Sequence, residues 1–152
     1  MTYYGTSHKL WHIKKWNDRK IKLVEKYFEN LDDKQSPLVE TGEIYFADLG
    51  TNIGEEIDKT RPVLIIQRNN HFFRNRNTVF VVPMTSSLKR GSFKVPFSES
   101  DLIEQNVETR AGIILVYQSR TISKTRLGQK MAKLSDEKII EVKMALKKLL
   151  QI

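Results

Sequence analysis

Apolar residues follow two different periods in this chain, and the change between them divides it. From His8 to Asp33, the residues Ile21, Val24, Phe28 and Leu31 recur three or four apart, preceded by Leu10 and Ile13. That spacing predicts a helix with one apolar stripe. Its other faces carry Lys14, Lys15, Arg19, Lys20, Lys22 and Lys26, and Gln35-Ser36-Pro37 ends it, because proline disfavours helix in the residue before it. The stripe is expected to pack on the domain that follows. A nucleic-acid-facing helix and an oligomer contact are the alternatives.

From Gly42 onward the pattern is that of strands. Glu43 to Leu49 reads as the first, and Gly50 to Thr60 as a long polar loop with two glycines and three acidic residues. Pro62 to Gln67 and Thr78 to Met84 are nearly continuous apolar runs, as in strands buried on both faces. Between them, Arg68 to Asn77 reads as a turn region. Lys89-Arg90-Gly91 is a basic turn, Ser92 to Phe97 alternates through Phe93, Val95 and Phe97, Ser98 to Arg110 is acidic and irregular, and Gly112 to Gln118 is a further strand. Ser135 caps a last helix, with Asp136 and Glu137 at its positive end, an Ile139/Val142/Leu146/Leu149 face, and Lys143, Lys147 and Lys148 toward its negative end. Many short strands with helices at the ends predict a mainly β fold, a small and strongly curved barrel with helices attached.

The length of 152 residues predicts one core-forming body, and its apolar fraction of 39% is ordinary. The chain has no cysteine, which removes thiolate catalysis, disulfides and Cys-zinc sites and fits a reducing cytosol. No apolar run is long enough to span a membrane, and residues near the start lack the apolar core of an export signal. The net charge of +8 attracts anions, with RNA and an acidic protein as the candidate partners.

Two residues stand out chemically. Arg61 enters the first apolar run and Thr85 ends the second. If the runs pair as antiparallel strands, both side chains reach the same end of the pair. A permanent cation beside a hydroxyl can grip a phosphodiester, because the guanidinium fork holds two phosphoryl oxygens and stabilises the charge that builds on them. The competing reading for Arg61 is an ion pair with Glu55, Glu56 or Asp58, and for Thr85 an ordinary strand-end hydroxyl bonded to backbone. Residues in the surrounding loops are candidates for contacting nucleic acid: Asn52, Glu56, Lys59, Gln67, Asn69, Asn70, Ser86, Ser87, Lys89, Arg90, Tyr117 and Gln118. His8 and His12 have helical spacing but no third ligand nearby, so no metal site is assigned, and His71 is read as structural.

Five segments, in order, resemble the MazF/PemK family of toxin endoribonucleases: Gly42-Glu43-Ile44-Tyr45-Phe46-Ala47-Asp48-Leu49; Gly54-Glu55-Glu56 with Arg61-Pro62; Val82-Pro83-Met84-Thr85-Ser86; Gln118-Ser119-Arg120-Thr121-Ile122-Ser123-Lys124-Thr125-Arg126-Leu127; and Leu134-Ser135-Asp136-Glu137. The resemblance covers about residues 40 to 150, leaving residues 1–38 as a helical extension before a 40–152 toxin domain. It implies an SH3-like barrel with a C-terminal helix. It also implies metal- and cofactor-independent cleavage of single-stranded RNA, with Arg61 and Thr85 as the catalytic pair, by a cytoplasmic homodimer restrained by an acidic antitoxin. Some relatives also use a second arginine and an aspartate just before the Gln-x-Arg-Thr segment: Leu115 and Tyr117 stand at the corresponding positions, so the acid is missing, and Tyr117 can stack on a base. Ile57 likewise replaces a polar loop residue. The alternatives are a noncatalytic binding module on the same barrel and a CcdB-type gyrase inhibitor.

Overall fold

A computed structural model describes residues 3–32 and 37–152. Helix α1 (Tyr3–Asp32) precedes eight strands: β1 (Glu43–Asp48), β2 (Thr60–Ile65), β3 (Thr78–Thr85), β4 (Lys94–Phe97), β5 (Leu102–Gln105), β6 (Gly112–Leu115), β7 (Arg120–Ser123) and β8 (Leu127–Leu134). A one-turn helix α2 (His71–Arg74) lies between β2 and β3, and α3 (Asp136–Leu150) closes the fold. The strands form one antiparallel sheet in the order β4-β6-β3-β2-β1-β8-β5, with β7 also on β3. The sheet curls into a half-barrel with helices at both ends of the chain.

The two continuous apolar runs become β2 and β3, side by side at the centre, and their residues feed both faces. Leu64, Val82 and Met84 join Ile44, Ile114, Met131 and Leu134 in a core closed by Ile139 and Val142 of α3. Val63, Ile65, Val79 and Val81 join Ala47, Leu49, Ile122 and Leu127 on the other face. The Ser135 hydroxyl accepts the Lys138 N–H at the start of α3, as the capping pattern predicts.

Three expectations change, and two strands come unannounced. The apolar stripe of α1 does not pack on the barrel: Leu10, Ile21, Val24, Phe28 and Leu31 are between 48% and 59% exposed. The helix docks instead through Trp16, which lies off that stripe and is buried. Ser98 to Arg110 is more regular than expected, with a 3₁₀ turn at Glu99–Asp101 and the short β5. Gly112 to Gln118 is β6 followed by a 3₁₀ turn, Val116–Gln118. Strands β7 and β8 had no clean period to announce them, because β8 pairs with β1 through register shifts that interrupt alternation. Asp33 and the Gln35-Ser36 break expected after α1 lie outside the described residues.

Candidate active site

Arg61 pairs with Ala47 of β1 on one side. On the other, β2 meets β3 at Val63↔Pro83. That pairing stops there: Arg61 stays paired with β1, while Thr85 pairs with Ile113 of β6. Arg61 and Thr85 therefore lie just beyond the same end of the paired β2–β3 segment. Both residues are half-buried rather than sealed. The Arg61 Nε–H donates to the Asp58 carbonyl at 3.0 Å, and among the described residues its two terminal nitrogens have no protein partner. None of the nearby carboxylates forms an ion pair with it among the described residues. Thr85 Oγ1 accepts the Ser87 N–H at 3.2 Å, which leaves its own proton to donate. Thr85 and Ser86 border a cavity of about 400 Å³ beside Pro62, Met84 and Gly112, and Arg61 is not in its lining.

The loop that carries Arg61 into β2 is tied at both ends. Leu49 N–H donates to the Lys59 carbonyl (2.9 Å) and Lys59 N–H to the Gly50 carbonyl (2.7 Å). Asn52 lies inside the loop and donates its amide to the carbonyls of Leu49 and Ile57. Gln118 reaches across from the 3₁₀ turn, donating to the Glu55 carbonyl and accepting the Ile57 N–H. Both amides therefore hold the loop instead of facing solvent. Glu56 and Lys59 display exposed charges on it. The Asp58 carboxylate binds Lys9 of α1 at 2.6 Å. Burial alone would raise the Asp58 pKa; the Lys9 ammonium outweighs it and holds the carboxyl below its ordinary value.

Of the remaining candidates, Ser86, Ser87, Lys89 and Arg90 lie on the exposed loop directly after Thr85. Tyr117 is exposed on the 3₁₀ turn between β6, which pairs β3 at Met84 and Thr85, and β7, which pairs it up to Val81. Leu115, at the other altered position, is buried. Gln67, Asn69 and Asn70 are not brought to the Thr85 end. They follow β2, six or more residues beyond Arg61, about 20 Å away along a strand. Their side chains are engaged there: Gln67 accepts the Phe80 N–H, Asn69 accepts the Thr41 N–H, and Asn70 caps α2 by accepting the Phe73 N–H. His71 begins α2 at the same far end. His8 and His12 approach to 3.2 Å through Nε2, and no group of three or more His, Cys, Asp or Glu residues gathers among the described residues.

Three contacts around the site came without a sequence signal strong enough to find them. Trp16 packs on Gly50, Lys9 takes the Asp58 carboxylate, and the Asp58 carbonyl, a backbone group, holds Arg61. No helix among the described residues is long and apolar enough to cross a membrane.

Comparison with known proteins follows the same lines. The chain is 38% identical over 110 residues to endoribonuclease EndoA of Bacillus subtilis, covering 72% of this chain and 91% of that protein. It is 34% identical over 109 residues to endoribonuclease MazF of Staphylococcus epidermidis, covering 72% of this chain and 88% of that protein. Among solved structures, MazF from Deinococcus radiodurans superposes with a TM-score of 0.62 at 18% identity, covering 77% of this chain and all (100%) of that one. A mycobacterial endoribonuclease, solved in complex with its cognate antitoxin, superposes with a TM-score of 0.59 at 22% identity, over 77% of this chain and 97% of that one. At these identities the structural likeness speaks for the half-barrel fold alone, while the sequence relatives speak for the family. Residues 40–150 match the family described as PemK-like, MazF-like toxin of type II toxin–antitoxin system, and the chain belongs to that family.

Proposed function

We propose that this protein is the toxin of a type II toxin–antitoxin pair and cleaves single-stranded RNA without a metal or other cofactor. The observation that supports this reading is the place of Arg61 and Thr85 just beyond the same end of the β2–β3 pairing, in a chain whose curated relatives are endoribonucleases. In the reaction, the 2′-oxygen of the substrate attacks the adjacent phosphorus and loses its proton to solvent water. The bond to the 5′-oxygen breaks, and that oxygen takes a proton from water. The products are a 2′,3′-cyclic phosphate and a 5′-hydroxyl. Negative charge builds on the nonbridging oxygens of the phosphorane, and the two terminal nitrogens of Arg61 are the donors that stabilise it. Thr85 donates its hydroxyl proton to a nonbridging oxygen and fixes the in-line approach. Arg61 acts as a fixed cation and not as a base, since a guanidinium stays protonated far above neutral pH.

Substrate contact falls to Ser86, Ser87, Lys89 and Arg90 on the loop after Thr85, Lys59 and Glu56 on the facing loop, and Tyr117 as a stacking surface. The partner is a cognate antitoxin of opposite charge to this basic chain, the toxin acts as a homodimer, and it works in the cytoplasm. Residues 1–38 are an added helical element on the 40–152 toxin domain. The test is incubation of single-stranded RNA with the protein in EDTA, reading product ends by phosphate chemistry. Cyclic phosphate termini that disappear with Arg61→Ala support the reading.

A second reading is a noncatalytic RNA-binding module. It is favoured by one observation: Tyr117 is an exposed aromatic that can stack on a base without taking part in cleavage. RNA binding that survives Arg61→Ala, without any product, would select it.

A further inference from the structure

Helix α1 lies outside the family match, yet besides packing on the 3₁₀ turn Lys124–Arg126 it is tied to the loop that delivers Arg61. Three contacts run along that loop, and a fourth holds the last residue of β1 before it. Arg19 Nε binds the Asp48 carboxylate at 3.0 Å. The Trp16 ring lies against Gly50 so closely that a Cβ there would sit 2.6 Å from its Cε2 atom. The Thr51 hydroxyl donates to the His12 carbonyl at 3.3 Å. Lys9 Nζ binds the Asp58 carboxylate at 2.6 Å. Arg126 completes the anchor from the barrel side, donating to the Asp48 carbonyl while its guanidinium lies 5.3 Å from the centre of the Trp16 ring.

Asp58 is the joint. Its carboxylate is held by Lys9, and its carbonyl holds Arg61 Nε at 3.0 Å. Fixing Nε fixes the direction of the planar fork, because the two terminal nitrogens lie in the plane that Nε defines. From this geometry we infer that α1 is a brace on the 49–59 loop, and that Lys9 and Trp16 are positioning residues that aim the Arg61 guanidinium through Asp58 and Gly50. The inference deepens the nuclease reading and rests on it for its effect on rate.

The brace differs from ordinary packing in what it changes. A partly exposed ion pair adds little to global stability. A small misplacement of a transition-state donor costs rate steeply, and it costs kcat more than KM because the donor is engaged only as charge develops. Removing Lys9 should therefore leave the fold standing and slow the chemistry.

The experiment compares full-length wild type with Lys9→Met, with the charge exchange Lys9→Glu/Asp58→Lys, and with Lys14→Met as a control. Lys14→Met loses the same charge from an exposed position of α1 that touches none of the loop. Two quantities are read: hydrogen exchange at the Leu49 and Lys59 amides, which bridge the loop, and kcat and KM on a single-stranded RNA. In Lys9→Met the two amides should exchange about threefold or more faster, with β8 and α3 unchanged. Its kcat should fall about three- to tenfold at near-constant KM. The charge exchange should recover both quantities, and Lys14→Met should match wild type. Unchanged exchange at both amides in Lys9→Met would overturn the brace, as would a kcat loss equal to that of Lys14→Met. If wild type cuts no RNA but the amides still loosen in Lys9→Met, the nuclease reading falls and α1's hold on the loop stands.

Discussion

Arg61 and Thr85 lie just past the same end of the paired β2–β3 segment, which closes at Val63↔Pro83. The chemistry proposed for this protein follows from that relationship. Backbone pairing fixes where each residue starts, Arg61 on Ala47 of β1 and Thr85 on Ile113 of β6. The guanidinium is further oriented by the Asp58 carbonyl.

Thr85→Val keeps the β-branched shape and removes the hydroxyl. It should lower kcat about ten- to a hundredfold, the loss of one hydrogen bond to a charged transition state. Thr85→Ser should keep most of the rate. Paired kinetics and thermal melts check this, and a Thr85→Val protein as fast as wild type would remove the hydroxyl from the mechanism.

Gly50 has φ of +80°, and its missing side chain makes room for the Trp16 ring. Gly50→Ala should destabilise by about 1–3 kcal/mol, part from the left-handed backbone and part from the ring. In a Trp16→Ala background the ring part vanishes, so the two substitutions should be non-additive by about 1 kcal/mol. Denaturant titrations of the four proteins measure it, and simple additivity would mean that the ring does not occupy that space in solution.

Glu43 accepts from the Glu40 N–H and the Tyr45 hydroxyl, both at 2.9 Å, and pairs with Lys130 at 3.0 Å. Burial alone would raise its pKa, but these donors outweigh burial and hold the carboxyl below its ordinary value of 4.5. The unfolded chain then takes up the proton first, so this stability is present above pH 4.5 and is lost as pH falls through the lower folded value. Tyr45 has the opposite sign. Burial, and next the Glu43 carboxylate, push its phenol from 10.0 up to about 12. Its contribution is intact below pH 10 and fades as pH rises toward 12. Urea midpoints measured across pH should fall on both flanks, and Glu43→Gln should flatten both, the acid one most. An acid limb unchanged in Glu43→Gln would place the titration elsewhere.

The sequence made some of this legible and concealed the rest for physical reasons. The runs that became β2 and β3 were readable because strands buried on both faces leave no polar alternation to confuse with a loop. The helix at residues 3–32 was readable from its stripe, but a stripe reports amphipathicity and not what covers it. Trp16, the residue that docks the helix, sits beside Arg19 and Lys20 and looks like part of a polar face. Asn52 and Gln118 have the side chains of base-reading residues, and only the fold shows both amides consumed by backbone carbonyls. The distance of Gln67, Asn69 and Asn70 from Arg61 follows from hairpin topology, since residues joining two antiparallel strands lie at the end opposite their free termini. The hold of Asp58 on Arg61 runs through a carbonyl, which side-chain identity does not reveal.

The most direct test of the central claim is cleavage of a long single-stranded RNA in EDTA, followed over time by primer extension for wild type and Arg61→Ala. Wild type should cut at discrete sites, leaving 2′,3′-cyclic phosphate ends, and Arg61→Ala should be slower by about 10²–10³ at unchanged fold, by analogy with deletion of an oxyanion donor. Cleavage by Arg61→Ala at the wild-type rate, or intact RNA in the presence of folded wild-type protein, would contradict the account.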